Sequence, residues 1–134
     1  MNLDYAFLCD SAQEGGGKVH ALGIGFDTIA AAGAPVTHPL LTVVLQLRYS
    51  VAEAGDKALS VRLIDADGRN VVNPVDHTVP FPSPEGARTN TARLIVAFAG
   101  VQFAAFGDYA VHVTVNGGEI ASLPLSLVPA APPA

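Results

Sequence analysis

Residues 40–50 read Leu40-Leu41-Thr42-Val43-Val44-Leu45-Gln46-Leu47-Arg48-Tyr49-Ser50. Leu41, Val43, Leu45, Leu47 and Tyr49 recur at every second position, while Thr42, Gln46 and Arg48 fall between them. A two-residue period puts the first set on one face of a strand and the second on the other. An amphipathic helix needs its apolar positions three and four apart, which this stretch does not supply. The expectation is a strand with one face buried against a second sheet.

The same rhythm continues toward the C-terminus. Ala54-Gly55-Asp56-Lys57 reads as a turn, after which Leu59, Val61 and Leu63 alternate with Ser60 and Arg62. Asp65-Ala66-Asp67-Gly68-Arg69 reads as a hairpin turn, with Asp-Gly supplying positive φ, and Asn70–Val72 as a short return strand. Pro74, Pro80, Pro82 and Pro84 punctuate residues 73–90. Proline cannot donate to a ladder, so this segment is expected to be loop, with at most an edge strand near Thr78–Phe81. Long irregular segments of this kind are often functional. Residues 91–99 turn Leu94, Val96 and Phe98 inward, and Ile95 and Ala97 make the other face apolar too. Residues 108–116 turn Tyr109, Val111, Val113 and Val115 inward, and Asn116-Gly117-Gly118 closes a tight hairpin. In the last strand, 119–128, Pro124 predicts an edge or a bulge.

Toward the N-terminus, Leu3, Tyr5, Phe7 and Cys9 alternate along one strand. A Glu14-Gly15-Gly16-Gly17 turn leads into a run from Lys18 to Thr28. A hairpin that pairs Leu3 with Phe26, Tyr5 with Ile24 and Phe7 with Leu22 gathers the large apolar groups on one face. The same register sets Cys9 opposite His20.

About eight or nine short strands with turns between them predict an all-β fold. The form expected is an immunoglobulin-like antiparallel β-sandwich. Residues 1–128 make one domain of it, and the Pro/Ala-rich 129–134 form an extended or disordered tail. Ala105-Phe106-Gly107-Asp108-Tyr109-Ala110-Val111 tilts the choice toward a sandwich. It resembles a tyrosine corner, in which the phenol of Tyr109 bonds back to upstream backbone.

Composition narrows the functions. Charged residues are 14% of the chain, against about 25% in typical soluble domains. The surface must therefore carry more apolar or small groups than usual, and such surface is often covered by another chain. The seven Lys and Arg are scattered and the net charge is -5, which argues against a nucleic-acid partner. No apolar run reaches the ~18 residues of a membrane helix. Asp4 interrupts any secretory leader. A single cysteine rules out an internal disulfide, and a cytoplasmic location is expected.

The candidate chemistry is thin. A Cys9–His20 pair would be a thiol beside an imidazole, but no residue is placed to orient the histidine. A lone cysteine in phase with aromatic residues is more often a small buried hydrophobe. Asp65 and Asp67 fail the calcium-loop spacing, because glycine comes too early. His20, His38, His77 and His112 lack zinc spacing. Gly15-Gly16-Gly17 precedes no helix that would turn it into a phosphate cradle. No catalytic group, cofactor or metal is expected.

The stretches Asn2–Leu8, Gly17–Gly23, Thr37-His38-Pro39 and Val61–Gly68 resemble those of a family of small bacterial proteins of unknown function. The resemblance extends to about Val128. It implies a stand-alone all-β protein and transfers no catalytic residue.

The expected function is non-enzymatic binding or assembly, as a homo-oligomer or with a protein partner. The expected interface is an apolar face or edge around Leu94–Phe98 or Ile120–Leu127. The alternative is a small-ligand or carbohydrate-binding module that uses loops at one end, with His38, His77, Phe81 and Arg88 as binding candidates. Sugar sites need exposed aromatic platforms, and the aromatic residues here read as core.

Overall fold

The computed structural model describes residues 1–87 and 89–131. Ten strands run in the order β1 (Asn2–Cys9), β2 (Ser11–Gly15), β3 (Lys18–Leu22), β4 (Thr28–Ala31), β5 (Val36–Ser50), β6 (Gly55–Asp65), β7 (Val75–Phe81), β8 (Thr89–Phe103), β9 (Gly107–Val115) and β10 (Gly118–Pro129). No α-helix occurs among the described residues. One sheet has the order β1-β5-β8, a second has the order β4-β10-β9-β6-β7, and β2-β3 form a separate two-stranded ribbon. All pairings are antiparallel except β10 with β4.

The two larger sheets face each other across one core. Leu41, Val43, Leu45 and Leu47 of β5 meet Val61, Leu63, Val111 and Val113 there, all of them essentially inaccessible. The alternation along β5, β6 and β9 thus faces as the sequence predicts. Two turns are also where the sequence puts them, whereas the turn expected at Ala54–Lys57 comes earlier, as a single 3-10 turn at Val51–Glu53, and β6 already begins at Gly55. Asn116 and Gly117 take positive φ between β9 and β10. The Asp65 carboxylate accepts the Asp67 and Arg69 amides, each at 2.9 Å, across the turn after β6. Tyr109 donates its hydroxyl hydrogen bond to the Ala105 carbonyl at 2.5 Å, and its ring meets the Phe103 edge at 4.8 Å.

The N-terminal hairpin is different from the expectation. β1 pairs with β5, not with the run that contains Ile24 and Phe26. A bulge between Leu3 and Tyr5 reverses the phase of β1. Leu3 is opposite Leu47 on the inner side, whereas Tyr5, Phe7 and Cys9 are opposite Gln46, Val44 and Thr42 on the outer side. Ala6 and Leu8 fill the inward positions instead. The extra residue, Asp4, is held by Gln46 Nε2 at 2.8 Å and Arg48 Nε at 2.9 Å.

The ribbon closes on Gly16 and Gly17, which take positive φ, later than the expected register required. Gly15 pairs with Lys18, and Gln13 with His20. The ribbon lies across the outer face of the β1-β5-β8 sheet. Its base is tied down by Asp10 N–H to Leu22 O and Gly25 N–H to Leu8 O, both 2.9 Å. Beneath it Val44 and Cys9 are wholly buried, and the buried Thr42 hydroxyl donates to Asp10 O at 3.3 Å. The middle of β5 is therefore covered on both faces.

Smaller differences follow from pairing. The proline-rich segment does contain an edge strand, and it is longer than expected, because β7 runs from Val75 to Phe81 and pairs only with β6. Asn70 makes only an isolated bridge to Ile64 instead of a return strand. β10 is not an edge, since β9 and β4 flank it. Pro124 is nevertheless placed where only β9 pairs, because the β4 ladder begins at Ser126. The bulge of β10 is between Glu119 and Ala121. At the C-terminal end β10 continues through Pro129, and Ala130 N–H donates to Ala31 O at 2.8 Å. Order thus reaches into the segment expected to be a tail, of which 132–134 lie outside the described residues.

If the ribbon covers β5 in solution, Val44 behaves as a core residue. Val44→Ala is expected to lower the unfolding free energy by about 1.5–3 kcal/mol, as a substitution at the inward Val43 would. Urea denaturation measures this, and a loss below about 0.5 kcal/mol would contradict a covered outer face.

Candidate functional site

The residues singled out from sequence do not converge. Cys9 is opposite Thr42, and His20 is on the ribbon with its Nε2 3.3 Å from Gly15 O. The expected Cys9–His20 juxtaposition is therefore absent, because it depended on the β1 hairpin register. Burial, and secondly the neighbouring Asp10 charge, push the Cys9 thiol pKa up, so the nucleophilic thiolate is disfavoured. His38 is in β5 opposite Val101, toward one end of the first sheet. His77 is in β7 opposite Leu59, in the second sheet and nearer the other end. They cannot share a loop site. Phe81 is not a surface residue either, since it is 1% exposed and packs on the Tyr49 ring at 4.9 Å. The Tyr49 hydroxyl is itself spent on Pro82 O. Arg88 lies outside the described residues. Among the described residues no group of three or more His, Cys, Asp or Glu could hold a metal ion. Among them, too, no helix is long and apolar enough to cross a membrane.

A different place gathers functional groups. The phase reversal in β1 puts Tyr5 and Phe7 side by side on the outer face, with ring centroids 5.8 Å apart and planes 22° apart. The ribbon overhangs this floor and leaves a cleft of about 420 Å³, walled by Val19, Ala21 and Ile24 and edged by Lys18 and Arg93. Arg93, from β8, organises one side. Its Nη1 donates to Glu14 Oε1 at 3.0 Å and to Gly17 O at 3.3 Å, which ties the ribbon tip to the sheet. Its Nη2 donates to Gln46 Oε1 at 3.0 Å, and its Nε to the Tyr5 hydroxyl at 3.3 Å. That hydroxyl donates in turn to Gln46 Oε1 at 3.2 Å. The contact with Tyr5, ahead of that with Glu14, raises the Arg93 pKa.

Beside the cleft, the ribbon base presents Leu22 and Ile24 to water, 71% and 58% exposed. Gly23 between them takes φ +68°, and a Cβ there would meet Asp10 Oδ2 at 2.2 Å. A side chain at position 23 would be strained by that φ and would have to displace the Asp10 carboxylate.

The sequence reading missed Tyr5, Phe7, Arg93 and Glu14 as a group because alternation cannot reveal a bulge. One signal was available. Asp4 in β1 has complementary partners in Gln46 and Arg48 of β5, whereas the expected hairpin sets it opposite Gly25.

The fold and these surfaces define a small all-β domain of two facing sheets, with a ribbon strapped across the outside of one. The chain belongs to a family of unknown function, DUF6941, whose pattern it matches over residues 4–128. The resemblance read from residues 2–8, 17–23, 37–39 and 61–68 to a family of unknown function therefore stands. A search of curated proteins finds no match to the chain.

The buried, protonated thiol leads to an expectation. Native protein treated with iodoacetamide at neutral pH should label at Cys9 at least about 100-fold more slowly than protein unfolded in urea. Mass spectrometry over time reads the ratio, and rapid native labelling would restore a reactive thiol.

Proposed function

We propose that this chain is a non-enzymatic assembly domain that pairs with a second copy of itself through the free edge of β8. We read its architecture as immunoglobulin-like. The order β1-β5-β8 facing β4-β10-β9-β6-β7 fits that topology. The first-strand region divides between the two sheets, with β1 on β5 and β4 parallel to β10. The Tyr109–Ala105 bond stands where a tyrosine corner belongs. No strand covers the outer edge of β8 among the described residues.

The observation that carries the reading is how little protects that edge. Unpaired edges invite another strand, and proteins blunt them with proline, charge, bulges or shortness. β1 has a bulge at Asp4, β4 has only 4 residues, and β7 carries Asp76 and Pro80. β8 has 15 residues, no proline and a single ionisable side chain, Arg93. Glu14 neutralises that charge. An antiparallel pairing centred on Val96 sets Leu94 opposite Phe98 and Ile95 opposite Ala97 of the partner, and keeps the two Arg93 side chains apart. Such a two-fold contact closes on itself and removes both edges. The low charge of the chain, with one thiol and no disulfide, suits a protein of the reducing cytoplasm.

Sedimentation equilibrium tests the reading. The mass should approach that of two chains at tens of micromolar, and Ala97→Lys, an exposed position on this edge, should weaken association by about 10-fold or more. A wild-type protein that stays monomeric up to about 100 µM would refute it.

A further inference from the structure

We infer that the cleft between the Tyr5–Phe7 floor and the β2-β3 ribbon is a binding site for a small aromatic carboxylate. Its volume of about 420 Å³ is within the roughly 300–1,000 Å³ range of small-molecule sites. The floor is aromatic, because the two rings stack on each other with centroids 5.8 Å apart and planes 22° from parallel. Both residues are half-buried, so the ribbon leaves part of each accessible. A planar apolar body resting on them would touch Val19, Ala21 and Ile24 on its other side. Aromatic rings stack on such platforms in offset geometry, with a gain beyond their buried area.

The charge of the ligand follows from the rim. Two cations stand there, Lys18 and Arg93, against one carboxylate, Glu14. Lys18 has no ion-pair partner among the described residues. The rim thus carries one uncompensated positive charge on a chain whose net charge is -5. One excess cation matches a monoanion, and a lysine ammonium accepts a carboxylate without demanding fixed geometry. The polar groups along the side of the cleft argue against a sugar. Tyr5, Gln46 and Arg93 satisfy one another, which leaves a ring of hydroxyls few free partners.

The test is a nitrogen-15 NMR titration of the full chain with naphthalene-2-carboxylate, beside the neutral naphthalene-2-methanol. The carboxylate should give saturable shifts at the Phe7, Val19, Ala21 and Ile24 amides, with a Kd of about 0.1–1 mM. The alcohol should bind at least about 10-fold more weakly, and Lys18→Glu should weaken the carboxylate by a similar factor. Ala21→Trp, which fills the cleft, should abolish the shifts while the dispersed spectrum of a folded domain remains. If Ala21→Trp disturbs the fold, Lys18→Glu at its exposed position decides alone. The inference fails if no saturable shift reaches these amides at several millimolar probe. It also fails if the alcohol binds as well as the carboxylate, or if Lys18→Glu leaves affinity unchanged. The outcome is independent of association through β8, which the mass measurement reads separately.

Discussion

β5 is buried on both sides, and most of the architecture follows from that demand. Leu41, Val43, Leu45 and Leu47 enter the core between the sheets, while Thr42 and Val44 on the opposite face are equally inaccessible. A strand in a two-layer fold normally keeps one face in water. Here the second apolar face needs its own cover, and the β2-β3 ribbon supplies it. The ribbon could not stand alone, since an isolated two-stranded hairpin is marginal in water. It is stable because Val44, Cys9 and the aromatic rings of β1 give it something to bury.

This reciprocity explains which parts of the fold were legible in the sequence. Alternation reports the face on which a side chain lies, so the inward sets of β5, β6 and β9 were readable from Leu45, Val61 and Val113. Turn chemistry was readable where a residue has one use, as at Asn116-Gly117 and Asp65–Arg69. The Tyr109–Ala105 bond was readable because a corner has a fixed local spacing. Strand neighbours were not readable, because alternation does not say which strand lies beside which. Tyr5, Phe7 and Cys9 fit a hairpin with the run 18–28 as well as they fit β5 by apolar pattern alone. The bulge at Asp4 then reversed their phase, and one extra residue exchanges the two faces of everything beyond it. The sites suffered most from this. The aromatic residues set aside as core became the floor of the cleft, while Phe81, held to be a surface candidate, became core.

The scarcity of charge takes on a different meaning in the folded chain. Several of the few ionic groups tie elements together across long sequence separations. Asp4 joins Arg48 and Gln46, and Glu14 joins Arg93. Isolated exposed pairs contribute little to stability, so their value here is positional. Asp4 anchors the bulge that turns Tyr5 and Phe7 outward, and Arg93 fixes the ribbon tip at the edge of the sheet. An apolar excess that first suggested a partner chain is thus partly consumed inside the molecule, beneath the ribbon. What remains is narrower and better defined: the Leu22–Ile24 projection, the cleft and the β8 edge.

Arg93 belongs to two of these surfaces, and its partners decide how they influence each other. As the ionisable residue of β8, it would present a bare charge to any strand that paired there if Glu14 were elsewhere. A carboxylate held by Lys18 in the cleft leaves that pair in place, with Glu14 Oε1 and Gly17 O still on Arg93 Nη1. The charge on Arg93 is then balanced whether or not the cleft is filled. Occupancy and edge pairing therefore do not oppose each other electrostatically. Linkage requires any coupling between them to act equally in both directions. With the charge on β8 balanced in either state and the ribbon tip also held through Gly17 O, the two surfaces act separately.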